Sequence, residues 1–262
     1  VELAGVHCYN GGLQHVRDPE ERRALVFQQV VTGSAEKAVA ALTDAGLWKQ
    51  GMPVTGGGTG TFMCEASSGI FTEVQPGSYV FMDADYNQNI WPKGARTSSS
   101  SLDPSPSKDP PSDSSKEEGA SSFAKGVGTC SAESAEEEGV SPFAQSLHLL
   151  ATVISRHGAS GTPGARAVVD VGSKAADLGS GPPRFAGRAT GGMAATKGGG
   201  ATYTNAGDEH GILHLSGGTA LSVGDVVWMV PGHCDPTVAR HLWIVGYRGG
   251  VVSRIFPVHP GF

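Results

Sequence analysis

The triplet His233-Cys234-Asp235, inside WMVPGHCDPTVARHLW (228–243), sets an imidazole, a thiol and a carboxylate side by side. It follows an apolar segment, VVWMVP, that reads as a strand. If the strand runs on through the triplet, His233 and Asp235 share a face at i and i+2 and Cys234 points to the other, where it packs. One imidazole nitrogen and one carboxylate oxygen make an open site for Zn²⁺ or Mn²⁺, with the remaining positions left to water or substrate. The competing reading is a hydrogen-bonded pair at a strand end, with no metal.

Two further stretches carry groups capable of chemistry. TGGGTGTF (55–62) places Gly57, Gly58, Thr59 and Gly60 in a turn behind a strand. Successive backbone N–H groups in such a turn can cradle phosphate oxygens, and the threonine hydroxyl adds a donor. No Lys follows at Walker spacing, so a nucleotide P-loop is excluded. GDEHG (207–211) sets Glu209 and His210 between glycines, which suits acid–base work or support of a metal, and equally suits a polar hairpin tip.

These groups need elements to hold them. The first part of the chain alternates strand and helix signals. VELAGVHCYNGG is an apolar run ending in glycines, and PEERRALVFQQVV opens with Pro19 and acidic residues, as a helix N-terminus does. SAEKAVAALTDAGL reads as a second helix, with Ser34 as N-cap, Val39 and Leu42 on one face and Gly46 as the C′ stop. MPVTGGGTGTF gives a strand and a glycine turn, and YVFMD a further strand. Alternation at this spacing predicts parallel βα units. Beyond Val140 the strand signals dominate: FAQSLHLLATVISR (strand or helix), then ARAVVDVG, GILHLSGG, GDVVWMVPGHC, LWIVGYRGG and VVSRIFPV, with TGGMAATKGGGATYT as a glycine-rich loop. Short strands with glycine turns predict a β domain.

Between these parts the composition changes. Residues 98–139 hold nine acidic residues and three lysines, and the remainder of the chain is balanced. The formal charge of −6 therefore belongs to this Ser/Pro/Glu-rich segment, which buries too little apolar surface to offset ordering entropy. No basic surface marks a nucleic-acid binder, and no apolar run approaches the ~20 residues of a membrane span. The four cysteines form no CxxC pair or framework, which points to a reducing compartment.

Taken together, GVHCYNGGLQH (5–15), VTGGGTGTF…DADY (54–86) and GDEHGIL…GDVVWMVPGHCDPTV (207–238) resemble the D-threonine aldolases and the related metal-activated D-serine dehydratases. The resemblance covers nearly the whole chain outside the acidic segment. It implies a pyridoxal 5′-phosphate enzyme of the alanine-racemase-like fold (fold type III), α/β followed by all-β. Residues 1–96 would be the C-terminal part of a cofactor-binding TIM-like (β/α) barrel. Residues 97–139 would be a disordered acidic insertion, and 140–262 a β domain with the metal site. Gly57, Gly58, Thr59 and Gly60 match the family's phosphate-cradling motif, and Tyr86 a further phosphate contact. Tyr9, Gln14 and His15 match a Tyr/Gln-His stretch beside the cofactor; His15 joins Glu209 and His210 as a catalytic candidate. His233 and Asp235 match the metal pair.

The dehydratase branch carries His-x-Cys where this chain has His-x-Asp. The carboxylate tips the reading to the aldolases and to Mn²⁺, with Zn²⁺, Mg²⁺ and Co²⁺ as alternatives. The implied reaction is retro-aldol cleavage of D-threonine and similar β-hydroxy-D-amino acids to glycine and an aldehyde. The alternatives are D-serine dehydration to pyruvate and ammonia, and an inactive relic. A homodimer and an intracellular, cytoplasmic setting are implied too. One departure stands out: the family binds its cofactor through a lysine near the start of the barrel, and none of the eight lysines here lies in that context. The chain, which opens on Val1 and carries no signal-peptide pattern, is therefore expected to begin beyond that lysine, as a fragment or degenerate copy.

Overall fold

The structure, a computed structural model, describes residues 2–92, 141–159, 161–189 and 200–259. The acidic segment read as an insertion over 97–139 lies outside the described residues. The first part holds β1 (Val6–His7), a 3₁₀ turn (Gly11–His15), α1 (Pro19–Leu25) and a π-helical stretch (Val26–Ala35). It continues through α2 (Glu36–Asp44), β2 (Val54–Gly56), α3 (Phe62–Ser67) and β3 (Glu73–Val74). The three strands are parallel in the order β1-β2-β3, with Val6 opposite Val54 and Thr55 opposite Glu73. Parallel neighbours need a crossover, and the helices supply it.

Asp18 caps α1, its carboxylate accepting the Glu21 N–H at 2.8 Å. The two expected helices are one continuous helical run. Ser34 is not an N-cap: its hydroxyl donates to Gln29 O at 2.8 Å, five residues back, the spacing of a π turn. Gly46, at φ 68°, ends the run as expected, and the Leu47 N–H reaches back to Leu42 O at 2.8 Å. Leu13, Val26, Val30, Val31 and Cys64 form the small core beneath.

The strand expected at YVFMD is absent. Ser78–Val80 is a 3₁₀ turn, and Met82 sits at φ 51° with its side chain fully buried. This turn redirects the chain so that the next residues meet the β domain. The Ala84 N–H donates to Pro231 O at 2.9 Å and the Asp85 N–H to Gly232 O at 3.1 Å. Phe143 closes the same junction, its ring 5.3 Å from Tyr79, 6.1 Å from Phe62 and 5.8 Å from Trp91.

The second part is a six-stranded antiparallel sheet in the order β6-β9-β4-β5-β8-β7. Its strands are β4 (Leu149–His157), β5 (Arg166–Val169), β6 (Arg184–Arg188), β7 (Ala201–Asn205), β8 (Gly211–Leu215) and β9 (Val226–Val230). The edge strands β6 and β7 approach each other, so the sheet is nearly closed. In β4, Leu149, Ala151 and Val153 are buried while Leu150 and Ile154 are exposed, the period-2 pattern that decides strand over helix. The inward faces supply the main core, with Val169, Leu213, Val227 and Met229 fully buried. Strand β7 occupies the end of what reads in sequence as a glycine-rich loop; residues 190–199 of that loop lie outside the described residues.

Beyond β9 come the one-turn α4 (Cys234–Val238) and the hairpin of β10 (Trp243–Arg248) and β11 (Val251–Pro257). No helix among the described residues is long and apolar enough to cross a membrane. Truncating a fully buried core side chain removes its contacts and leaves a cavity. Leu213→Ala is expected to lower unfolding free energy by about 2–5 kcal/mol, read from denaturant titration.

Candidate active site

The site lies where the two parts meet, in a cavity of about 290 Å³ lined by residues of both. Strand β9 stops at Val230, so His233 and Asp235 do not alternate along a strand as the sequence suggested. His233 has extended backbone at the N-cap of α4 and Asp235 sits in its first turn. The tight turn nevertheless brings His233 Nε2 to 3.6 Å from Asp235 Oδ2. Cys234 packs, as expected, and does not line the cavity. It is fully buried, and its thiol donates to Asp235 Oδ1 at 3.3 Å. Burial and the neighbouring carboxylates push that thiol well above its ordinary pKa, so it stays protonated.

Asp83, from the first part, stands behind the imidazole. Its Oδ2 lies 2.8 Å from His233 Nδ1. Burial pushes the Asp83 carboxyl up, but hydrogen bonds from His233 and from the Tyr86 and Cys234 amides outweigh it, and the net shift is downward. The His233 pKa is raised, first by its hydrogen bond to Asp83 and against the effect of burial. Ser78 Oγ donates to Asp235 Oδ2 at 3.2 Å. The donor set fits a divalent ion: one nitrogen and one carboxylate oxygen, both on cavity-lining residues and close enough to share metal bonds of about 2.0–2.2 Å.

The glycine loop forms another wall. Gly58 and Thr59 line the cavity; Gly57 and Gly60 do not. The Gly60 N–H is spent on Gln14 Oε1 at 2.9 Å, so it braces the loop. A Cβ on Gly58 would stand 2.6 Å from Gln14 Oε1 and 2.7 Å from Tyr9 Oη, so only glycine keeps this wall open. Thr59 Oγ1 accepts the Tyr79 N–H at 3.1 Å and keeps its own proton to donate. A backbone cradle with one hydroxyl fits a phosphate group. Behind it, Gln14 donates to Thr61 Oγ1 at 2.8 Å, and Thr61 donates to Glu65 Oε1 at 2.8 Å.

Tyr86 and His15 also line the cavity, as do Tyr9, Gln14, Gln75 and Ser78. The Tyr86 ring packs 5.8 Å from the His233 ring and 5.3 Å from His15. Burial raises the Tyr86 phenol pKa, which keeps it a neutral donor. Asp85 Oδ2 holds His15 Nδ1 at 2.5 Å, and Arg17 pairs with the other Asp85 oxygen. Glu209 and His210 lie outside this cavity. Glu209 pairs with Lys174 at 2.5 Å on the surface and His210 is exposed, so within this chain neither reaches the imidazole–carboxylate pair. Sequence reasoning missed Asp83, Ser78 and Asp85. The alternation in MDADY (82–86) is the one visible signal for Asp83 and Asp85; Ser78, in PGSYV, carries none.

A family model described as "Putative serine dehydratase domain" matches residues 146–247. The 3-hydroxy-D-aspartate aldolase of Paracoccus denitrificans (strain Pd 1222) is 32% identical over 258 residues, 98% of this chain and 51% of that protein. The D-threonine aldolase of an Arthrobacter species is 32% identical over 259 residues, again 98% and 51%. The crystal structure of D-threonine aldolase from Filomicrobium marinum superposes with a TM-score of 0.69 at 31% identity, over 98% of this chain and 53% of that one. Across nearly all of its length the chain is similar to D-threonine and 3-hydroxy-D-aspartate aldolases. It spans about half the length of the curated relatives it matches. An alanine-racemase-like protein from Idiomarina loihiensis shares the fold, with a TM-score of 0.58 at 16% identity over 92% of this chain and 52% of that one. The α/β part is thus the C-terminal part of a TIM-like barrel, followed by a β domain.

Glu65 supplies a stability test of the loop. It is 2% exposed and its Oε2 has no partner among the described residues. Burial raises its pKa above the ordinary 4.5. Its favourable contribution is therefore complete below that value and lost as pH rises through the folded-state pKa. Glu65→Gln should melt at higher temperature than the parent at pH 7 and gain nothing near pH 4, by thermal unfolding at both.

Proposed function

We propose that this chain carries the metal-binding and phosphate-binding half of a pyridoxal-phosphate-dependent aldolase. The substrates would be D-threonine and related β-hydroxy-D-amino acids, split to glycine and an aldehyde. One observation carries the reading: His233 Nε2 and Asp235 Oδ2 stand 3.6 Å apart on the cavity that Gly58 and Thr59 also line. A phosphate anchored on that loop would place the rest of the cofactor, and a substrate held by it, beside the imidazole–carboxylate pair.

His233 and Asp235 would hold the divalent ion, and Gly58, Thr59 and Tyr86 the phosphate. When bound, the cofactor supplies the sink for the electron pair left as Cα–Cβ breaks, and the ion supplies positive charge that acidifies the β-hydroxyl. His15, fixed through Nδ1 by Asp85, leaves Nε2 to take the hydroxyl proton. Loss of that proton makes the β-carbon a carbonyl as the bond to Cα breaks, and a proton returned to Cα completes glycine. The buried Tyr86 ring packs against His233, whose side chain is largely shielded from water, and against His15, which stays exposed. A nitrogen–carboxylate pair, with the neighbouring thiol protonated, favours Mn²⁺ among the candidate ions. The reading includes a homodimer, and a reducing cytoplasmic setting in which Cys8, Cys64 and Cys234 stay free thiols.

The serine-dehydratase description of the matched domain favours a second reaction, conversion of D-serine to pyruvate and ammonia. The chain, joined to the other half of such an aldolase so that the cofactor lysine is supplied and assayed with pyridoxal phosphate and Mn²⁺, separates the two. Glycine from D-threonine or 3-hydroxy-D-aspartate supports the aldolase; pyruvate from D-serine supports the dehydratase. Turnover that is unchanged by a chelator, or unaffected by Asp235→Ala, would sink both metal-dependent readings. Asp235→Ala is expected to weaken Mn²⁺ binding at least ~10-fold by electron paramagnetic resonance titration, since a carboxylate ligand is lost.

A further inference from the structure

Asp83 is fully buried at the junction of the two parts and touches the candidate metal pair only from behind. Its Oδ2 lies 2.8 Å from His233 Nδ1 and accepts the Cys234 N–H at 3.0 Å, while its Oδ1 accepts the Tyr86 N–H at 2.8 Å. Three donors from three residues thus converge on one carboxylate. Ala84 and Asp85, the next residues, bond through their backbones to Pro231 and Gly232, just before His233. These bonds hold the carboxylate against the imidazole and turn Nδ1 toward it.

We infer that Asp83 is the positioning residue of the metal site: it holds the proton on His233 Nδ1, so that Nε2 alone faces the ion beside Asp235. This rests on the metal reading proposed above. Ligand atoms of Asp83, His233 and Cys234 also lie within 4.8 Å of one another, which is the competing arrangement for an ion. Such an ion would displace the proton on Nδ1. It would also compete with two backbone amides for the same carboxylate and need the buried thiol as an anion. An ion at Nε2 breaks none of these bonds. A carboxylate behind a ligating imidazole also makes the ring a stronger donor and fixes its tautomer. Asp83 has a second reach: through the Tyr86 amide it ties the metal-facing imidazole to a residue proposed to contact the cofactor phosphate.

Asp83→Asn keeps the shape but replaces one acceptor oxygen by an NH₂ group facing N–H donors. It is expected to weaken Mn²⁺ binding to the full chain by about 10–100-fold, read by electron paramagnetic resonance titration. In a His233→Ala background the same change should add nothing, because Asp83 acts through His233. Unchanged affinity in Asp83→Asn, or the full loss repeated in the His233→Ala background, overturns the inference and leaves the metal reading standing. If His233→Ala itself binds Mn²⁺ as tightly as the parent, the metal reading falls and the inference with it. A measurement on the unsubstituted chain guards against a variant that fails to fold. Nitrogen-15 NMR should show His233 protonated at Nδ1 and, on adding Zn²⁺, coordinated through Nε2 with the Nδ1 proton retained. Loss of that proton would place the ion between Asp83 and His233 and refute the assignment.

Discussion

The buried Asp83 carboxylate is the constraint on which the site depends. An ionised carboxyl taken out of water is costly unless hydrogen bonds and an opposing charge offset it. Here three donors converge on it, and they come from both parts of the molecule. The α/β part cannot satisfy Asp83 without the β domain, and the β domain cannot orient His233 without Asp83. The two backbone bonds from Ala84 and Asp85 extend that mutual dependence into a short ladder. The junction that assembles the site is also the junction that satisfies its buried charge.

The same logic explains the left-handed Met82 and the 3₁₀ turn at Ser78–Val80. Local propensity in YVFMD favours a strand, and β-branched and aromatic residues would supply one. The tertiary requirement wins. The chain must deliver Ser78 to Asp235 and, a few residues on, Asp83 to His233. A straight strand would alternate these side chains at a fixed rise and could not place both against the same short helix. The fully buried Met82 side chain packs at the bend and helps hold it there.

The parts of the fold that were legible from sequence are those fixed by near neighbours. The strands of the β domain announce themselves by alternation, and Gly46 by its place after an apolar helical face. Ser34 misled because capping and π-turn bonding use the same hydroxyl, and only the continuity of the helix tells them apart. At the candidate site, His233 and Asp235 were visible as a pair, but by the wrong geometry, since β9 ends before them. Asp83 was invisible because its partner stands 150 positions away, and nothing local requires a charge in MDADY. Glu209 drew notice for its composition, yet Lys174 claims it at the surface. Long-range pairing of polar groups is the information that periodicity does not carry.

Cys234 bears on which ion the proposed pair would hold. A thiol beside a histidine suggests a soft site, and a thiolate ligand would select zinc. Yet this sulfur is sealed from water and stands next to two carboxylates, and both effects disfavour its anion. It remains a thiol and donates to Asp235 Oδ1. Ser78 donates to the other oxygen of the same carboxylate. Asp235 is thus steered from both sides, and the face it shares with His233 Nε2 offers nitrogen and oxygen alone. That chemistry would suit an oxygen-preferring divalent ion with positions open for water or a hydroxyl group, as the metal proposed to act on a β-hydroxyl would need.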